Sequence, residues 1–193
     1  TNAAFSPRSK AELKSAIAAC LKISPEGDCP KGSHGPIGEW DIVSVTDLNA
    51  IFSYADKFNG DISKWDVSSV RDMSLMFHTA TSFSGDPTKW DVSQVTNMDF
   101  MFMDAENFAQ YFCGDSWVLS KASKDRMFQG AEGEISKTRC ADFVVFSPQS
   151  REQLKRAVDE CLALSQAGHC FKGLHGPVSM WNVSSVTDMG SMF

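Results

Sequence analysis

The chain has 193 residues, 42% apolar and 22% charged, with a formal net charge of -6. That is enough apolar material for a buried core and too little charge for a disordered tail. Without a cluster of Lys and Arg it excludes a binder of phosphate backbones, which needs concentrated positive charge to release counterions. No apolar run approaches the roughly 18 to 20 residues of a membrane helix, so no membrane insertion is expected within this segment.

Thr1 opens the chain without a charged-then-apolar leader, so a targeting segment is expected to have been removed or to lie outside it. Ser9 followed by Glu12 has the spacing of a capping box. In the helix that follows, Leu13, Ala16, Ile17, Cys20 and Leu21 fall on one face, with Lys10, Lys14 and Lys22 expected in water. Such an amphipathic helix suits the covering of the end of a repeat array. Pro25, Gly27, Gly32, Gly35 and Pro36 then give a turn-rich loop, so residues 1–39 read as a helical cap with its loop.

From Trp40 to Phe108 a 25-residue pattern is written three times without a gap. Its apolar phases are Trp40, Trp65 and Trp90; Val45, Val70 and Val95; Phe52, Phe77 and Phe102; and Phe58, Phe83 and Phe108. One copy cannot bury its own apolar side and must stack on the next, which is the signature of a solenoid. In the middle copy Asn59-Gly60-Asp61 marks a turn, Ile62 to Val67 alternates like a short strand, and Asp72 to Phe77 fits a short helix or a single turn. Parallel strands about 4.8 Å apart along one wall are therefore expected. Trp117, Met127, Phe128 and Ala131 resemble a fourth copy with altered spacing, so residues 40–141 read as coils with a degenerate terminal coil.

A longer repeat encloses this one. A shift of 141 residues places Phe5-Ser6-Pro7 on Phe146-Ser147-Pro148, Leu13 on Leu154, Cys20 on Cys161, His34-Gly35-Pro36 on His175-Gly176-Pro177 and Trp40 on Trp181. Ser150 and Gln153 restate the capping box, and Leu154, Ala157, Val158, Cys161 and Leu162 restate the apolar face. Residues 142–193 thus read as the start of a second tandem module: cap helix, disulfide loop and an incomplete first coil. Phe193 falls in mid-coil, so the chain is expected to be part of a longer tandem polymer or to have its last coil completed by a neighbour.

The motif W-D-V-S-x-V-x-D-M-x-x-M-F, written here from Trp65 to Phe77 with Ala80 and Phe83 beyond it, resembles the BspA-like leucine-rich-repeat family. It is similar above all to the branch first catalogued as a mycoplasma lipoprotein domain of unknown function. The cap, with its Phe-Ser-Pro and His-Gly-Pro segments, looks like versions found in unicellular algae. The resemblance implies an α/β repeat fold: a leucine-rich-repeat-like right-handed solenoid of 25-residue coils, with short parallel strands, short helices or turns and an amphipathic N-terminal capping helix. It also implies surface or secreted proteins engaged in adhesion, and it carries no catalytic residues to transfer.

Six cysteines are present, and the Cys20/Cys29 spacing recurs as Cys161/Cys170. Both pairs read as local disulfides, leaving Cys113 and Cys140 to pair by elimination, and the compartment as oxidising. The rival is a metal site completed by His34 or His175, but C-x8-C-x4-H is not a usual zinc spacing. Met73, Met76, Met98 and Met101 occupy the phases of Leu48 and Ile51, which makes them core residues rather than soft-metal ligands. Asp41, Asp66 and Asp91 share one phase and, in stacked coils, would lie about 5 Å apart as a ladder for calcium or a mineral surface. Against this, each Asp can cap a turn, and Asn182 at the same phase of the next module keeps the acceptor while losing the charge. Asn182-Val183-Ser184 is also an N-glycosylation sequon.

No G-x-S-x-G, H-E-x-x-H or phosphate loop occurs, and no cofactor is implied. The expected function is a non-enzymatic extracellular or cell-surface repeat protein that binds a protein or glycan, with Lys64, Lys89 and their neighbours varying over a constant interior. The alternative is a structural strut of an array or filament whose partners are further copies of itself.

Overall fold

Residues 4–142, 145–164, 170 and 173–189 are described in the structure, a computed structural model. The chain divides into two units, Thr1–Cys140 and Ala141–Phe193.

The first unit begins with helix α1, Lys10–Ile23, whose start is fixed by side chains: Ser9 Oγ accepts from the Glu12 N–H at 3.2 Å, and Glu12 Oε2 accepts from the Arg8 N–H at 2.9 Å. Leu13, Ala16, Ile17 and Cys20 are buried, each large one contributing roughly 1.5–3 kcal/mol. Lys14 and Lys22 face water as expected, but Lys10 does not: its ammonium lies 2.9 Å from Asp47 Oδ1 and 3.1 Å from Asn49 Oδ1. A short 3₁₀ turn, Ile37–Glu39, leads into the repeats.

The leucine-rich-repeat-like right-handed solenoid, with a wall of parallel strands, is not what forms. The described chain is mostly irregular. Its regular elements are α1, a one-turn helix α2 (Asp115–Val118), helix α3 (Arg151–Leu164), three 3₁₀ turns, and one two-stranded parallel sheet that does not close. That sheet pairs β1 (Tyr111–Phe112) with β2 (Glu134–Ile135). Ile62 to Val67 is not a strand, since the Trp65 N–H turns back to the Ile62 carbonyl at 3.1 Å and the Val70 N–H to that of Val67 at 2.9 Å. Asp72 makes an isolated parallel bridge and residues 74–79 form turns, the second of the two expectations for that stretch.

The segments that join the copies also avoid strand geometry. Ala50 and Tyr54, Leu75 and Thr79, and Phe100 and Asp104 all adopt left-handed conformations, with φ between 55° and 61°. A strand cannot pass through such residues. Between successive copies there are isolated parallel bridges at Asp47, Asp72 and Asn97, N–H groups of Arg71, Thr96 and Ser123 that donate back to the Thr46, Arg71 and Thr96 carbonyls at 2.8 to 3.0 Å, and, following these, rows that run one way. The N–H groups of Leu48, Ala50, Phe52 and Tyr54 donate to the carbonyls of Asp72, Ser74, Met76 and His78 at 2.8 to 3.0 Å. Met73, Leu75, Phe77 and Thr79 do the same to Asn97, Asp99, Met101 and Met103. Met98, Phe100, Phe102 and Asp104 do so to Ser123, Asp125, Met127 and Gln129. A parallel sheet alternates donors and acceptors along each edge; here every N–H in a row points toward the later copy.

The side chains keep the 25-residue order that the backbone does not express as strands. Phe77 stacks on Phe83 at 3.9 Å and lies 5.5 Å from Phe52 and 5.4 Å from Phe102, with rings within 6° of parallel. Met73, Met76, Met98 and Met101 are fully buried among them. In the fourth copy Asn97 pairs with Ser123, one residue beyond the regular step, and α2 takes up extra chain before Ala122. Trp117 is buried there, and Phe128 and Ala131 are half-buried.

The second unit repeats the cap. Ser150 Oγ accepts from the Gln153 N–H at 3.2 Å, and Gln153 Oε1 from the Gln149 N–H at 2.8 Å. Leu154, Ala157 and Cys161 of α3 are buried, while Leu162 is exposed. Its apolar cluster centres on Leu154 and Val186, with Val158, Trp181 and Val183 packed against them. The end of the expected incomplete coil, including Phe193, lies outside the described residues.

Candidate functional site

Three disulfides are present: Cys20–Cys29, Cys113–Cys140 and Cys161–Cys170. Two tie a cap helix to its loop, and the third joins the start of the fourth copy to its end. They point to an oxidising environment. No helix among the described residues is long and apolar enough to cross a membrane.

The aspartates at the ladder phase are engaged in turns. Asp41 Oδ1 accepts from the Val43 N–H at 3.2 Å, Asp66 Oδ1 from the Ser68 N–H at 3.0 Å and its hydroxyl at 2.6 Å, and Asp91 Oδ1 from the Ser93 N–H at 3.0 Å. The Ser68 hydroxyl, then its N–H, holds the Asp66 carboxyl below the usual carboxylate range. Asn182 Oδ1 makes the same turn with the Ser184 N–H at 3.1 Å. Among the described residues no three or more His, Cys, Asp or Glu gather as a metal site would require. Sequence reasoning missed two further phases with the same device. One is Asp47, Asp72 and Asn97; the other is Asp61 and Asp86, where the Ser63 hydroxyl and N–H likewise lower the Asp61 pKa.

The loop histidines are held as aromatic spacers. His34 stacks on Phe5 at 3.8 Å and its carbonyl accepts from Trp40 Nε1 at 3.1 Å. His175 stacks on Phe146 at 3.8 Å and its carbonyl accepts from Trp181 Nε1 at 2.9 Å.

Also missed is an ion pair that recurs across the two caps. Lys10 meets Asp47 at 2.9 Å, and Arg151 meets Asp188 at 3.7 Å. The 141-residue shift carries Lys10 onto Arg151 and Asp47 onto Asp188, so preserved charge in both members was the available signal.

In the first unit, α2 departs from the regular repeat and leaves a groove of about 650 Å³ beside the third copy. Arg71, Asp91, Gln94, Asp115 and Lys121 line it, around a Leu119 side chain that is 60% exposed. The lining combines both signs of charge, an amide and an apolar surface. Of its hydroxyls, Ser116 Oγ donates to the Trp90 carbonyl and Thr96 Oγ1 to the Arg71 carbonyl, each at 3.0 Å. In the second unit a more apolar hollow of about 290 Å³ lies between α3 and its loop, lined by Ala157, Cys161, Leu164, Leu174 and Trp181.

Together these features define a disulfide-tied protein of tandem-repeat sequence, in which the recurrent polar residues serve turns and the copies differ at the surface. The chain belongs to the family described as Mycoplasma protein of unknown function, DUF285, whose family model matches residues 27–139 and 163–193. No curated protein and no solved structure matches it.

Proposed function

We propose that the chain is a non-enzymatic, secreted or surface-displayed protein, akin to the BspA-like proteins, that recognises a protein or glycan through the groove beside α2. The observation that carries this reading is the place of that groove. It sits where the regular repeat gives way, and it presents Arg71, Lys121, Asp91 and Asp115 around an exposed apolar Leu119. Mixed charge around an apolar contact is the make-up of a recognition surface. The test compares the native chain with the variant Arg71→Glu/Leu119→Asp on peptide and glycan arrays. Binding that falls at least about tenfold in the variant, or roughly 1.4 kcal/mol, supports the groove. Equal binding by both, or none by either, overturns it.

A second reading, a strut in an array of copies, rests on the far edge of the fourth copy. The N–H groups of Lys124, Arg126, Phe128 and Gly130 occupy the donor positions of the earlier rows, and no acceptor meets them among the described residues. A neighbouring copy offering carbonyls would complete the row. Sedimentation over a wide concentration range separates the two readings, because a strut forms larger species and a lone recognition module stays a single species.

A further inference from the structure

We propose that Asn182 is an N-glycosylation site that accepts an oligosaccharide from a lipid-linked diphosphate donor. Asn182-Val183-Ser184 is the only Asn-x-Ser/Thr sequence in the chain. The structure adds what the sequence does not show, namely the state of the two atoms this chemistry needs. Asn182 is exposed, and its Oδ1 is taken by the Ser184 N–H at 3.1 Å, which leaves Nδ2 with no hydrogen bond among the described residues.

The same phase in the first unit shows how easily that position is tied down. Ser6 Oγ donates to Asp41 Oδ2 at 3.0 Å, and Ser68 Oγ donates to Asp66 Oδ1 at 2.6 Å. In the second unit Ser147 Oγ turns to the Val145 carbonyl at 3.4 Å instead. Ser184 Oγ makes no hydrogen bond among the described residues. The turn that Asp caps elsewhere is thus kept by Asn182, while its amide nitrogen and the Ser184 hydroxyl are both left available. A bulky polar group added at this exposed position costs no buried contact.

The step balances without a redox partner. Nδ2 attacks the anomeric carbon of the donor sugar, and the new C–N bond forms as the bond to the diphosphate oxygen breaks. The lipid diphosphate leaves with the electron pair, and the amide proton passes to a base of the transferase. This inference rests on the secreted part of the proposed function, for which the three disulfides supply the compartment.

The experiment uses the protein purified from its own source. Intact mass is measured before and after peptide-N-glycosidase treatment in heavy-oxygen water, and thiols in the same sample are counted by alkylation. The expected result is loss of one oligosaccharide with labelled Asp at position 182, and no alkylated cysteine. The variants Asn182→Asp, which keeps an acceptor for the Ser184 N–H, and Ser184→Ala are expected to lose the oligosaccharide completely. Unmodified Asn182 overturns the site. If the thiols are protected in that sample, the secreted reading stands without it; if they are alkylated, that reading falls as well.

Discussion

α1 buries Leu13, Ala16, Ile17 and Cys20 against a core that runs on through Phe58, Phe77 and Phe102 to Trp117. α3 has the same plan and the same capping box, yet among the described residues its Leu154 shares its cluster with Val186 as the other buried hydrophobic residue. Leu164 is 62% exposed and Leu174 is 93% exposed beside it. The two helices have equal local signals and unequal surroundings. The difference shows that a cap helix of this design draws its burial from the copies it packs on, in keeping with the general dependence of protein helices on tertiary packing.

The largest expected effect that tests this comparison is at Phe77. Removing the ring by Phe77→Ala, in the centre of the stacked column, is expected to cost about 3–5 kcal/mol, whereas Leu154→Ala costs about 2 kcal/mol. Hydrogen exchange read separately over 4–142 and 145–189 checks it. Protection is expected to fall in the first segment alone for Phe77→Ala, and equal loss in both would show that the units do not stabilise themselves separately. Next comes the Cys113–Cys140 bridge, which closes a separation of 27 residues against 9 for each cap bridge. Replacing both of its cysteines by serine is expected to cost about 3 kcal/mol, and more than the same change at Cys20 and Cys29. Urea midpoints of the two double variants decide the order.

A smaller effect is expected at the recurrent ion pair. Lys10 bonds Asp47 and Asn49 from a partly covered position, and Lys10→Met is expected to cost about 1 kcal/mol, whereas Arg151→Met at a longer and more open pair costs less. A double-mutant cycle with Asp47→Asn measures the coupling. The smallest effect concerns pH. Serine hydrogen bonds depress the folded pKa of Asp61 and Asp66, so their contribution is present above the unfolded value of about 3.9 and is lost as the pH falls through the lower folded value. Asn182, at the phase of Asp66 in the second unit, does not titrate, so acid weakens that turn in the first unit and not in the second. Asp66→Asn is expected to flatten the acid limb slightly, measured as urea midpoints between about pH 5 and pH 2.

Much of the side-chain plan is legible in the sequence. The period assigns Phe52, Phe77 and Phe102 and the four methionines to the interior, where they lie. The repeated cysteine spacing gives the two cap disulfides, and the serine-to-glutamate and serine-to-glutamine spacings give the helix starts. The backbone is not legible in the same way. Ala50, Leu75 and Phe100 share one left-handed position, and none of these residue types announces a positive φ. Separately, the alternation from Ile62 to Val67 suggests a strand where the chain makes successive turns. The groove beside α2 was hidden for a related reason: it arises where Trp117 and Ser123 leave the regular step, and a broken period marks the place without giving its shape.

The one-way rows have an electrical consequence. In a pleated sheet neighbouring peptide dipoles largely cancel; here the twelve N–H groups of the rows aim toward later copies while those of Arg71, Ser82, Thr96, Asn107 and Ser123, among others, aim back, so only the surplus of the rows adds along the axis. The first copy is then the negative pole, and the Lys10 ammonium lies there against Asp47 and Asn49. The fourth copy is the positive pole, at the edge that also carries Lys121, Lys124 and Arg126. Like poles repel, so for two copies of the first unit meeting along this axis the surplus moment favours a head-to-tail approach over a symmetric one, although the chain as a whole carries a net charge of -6.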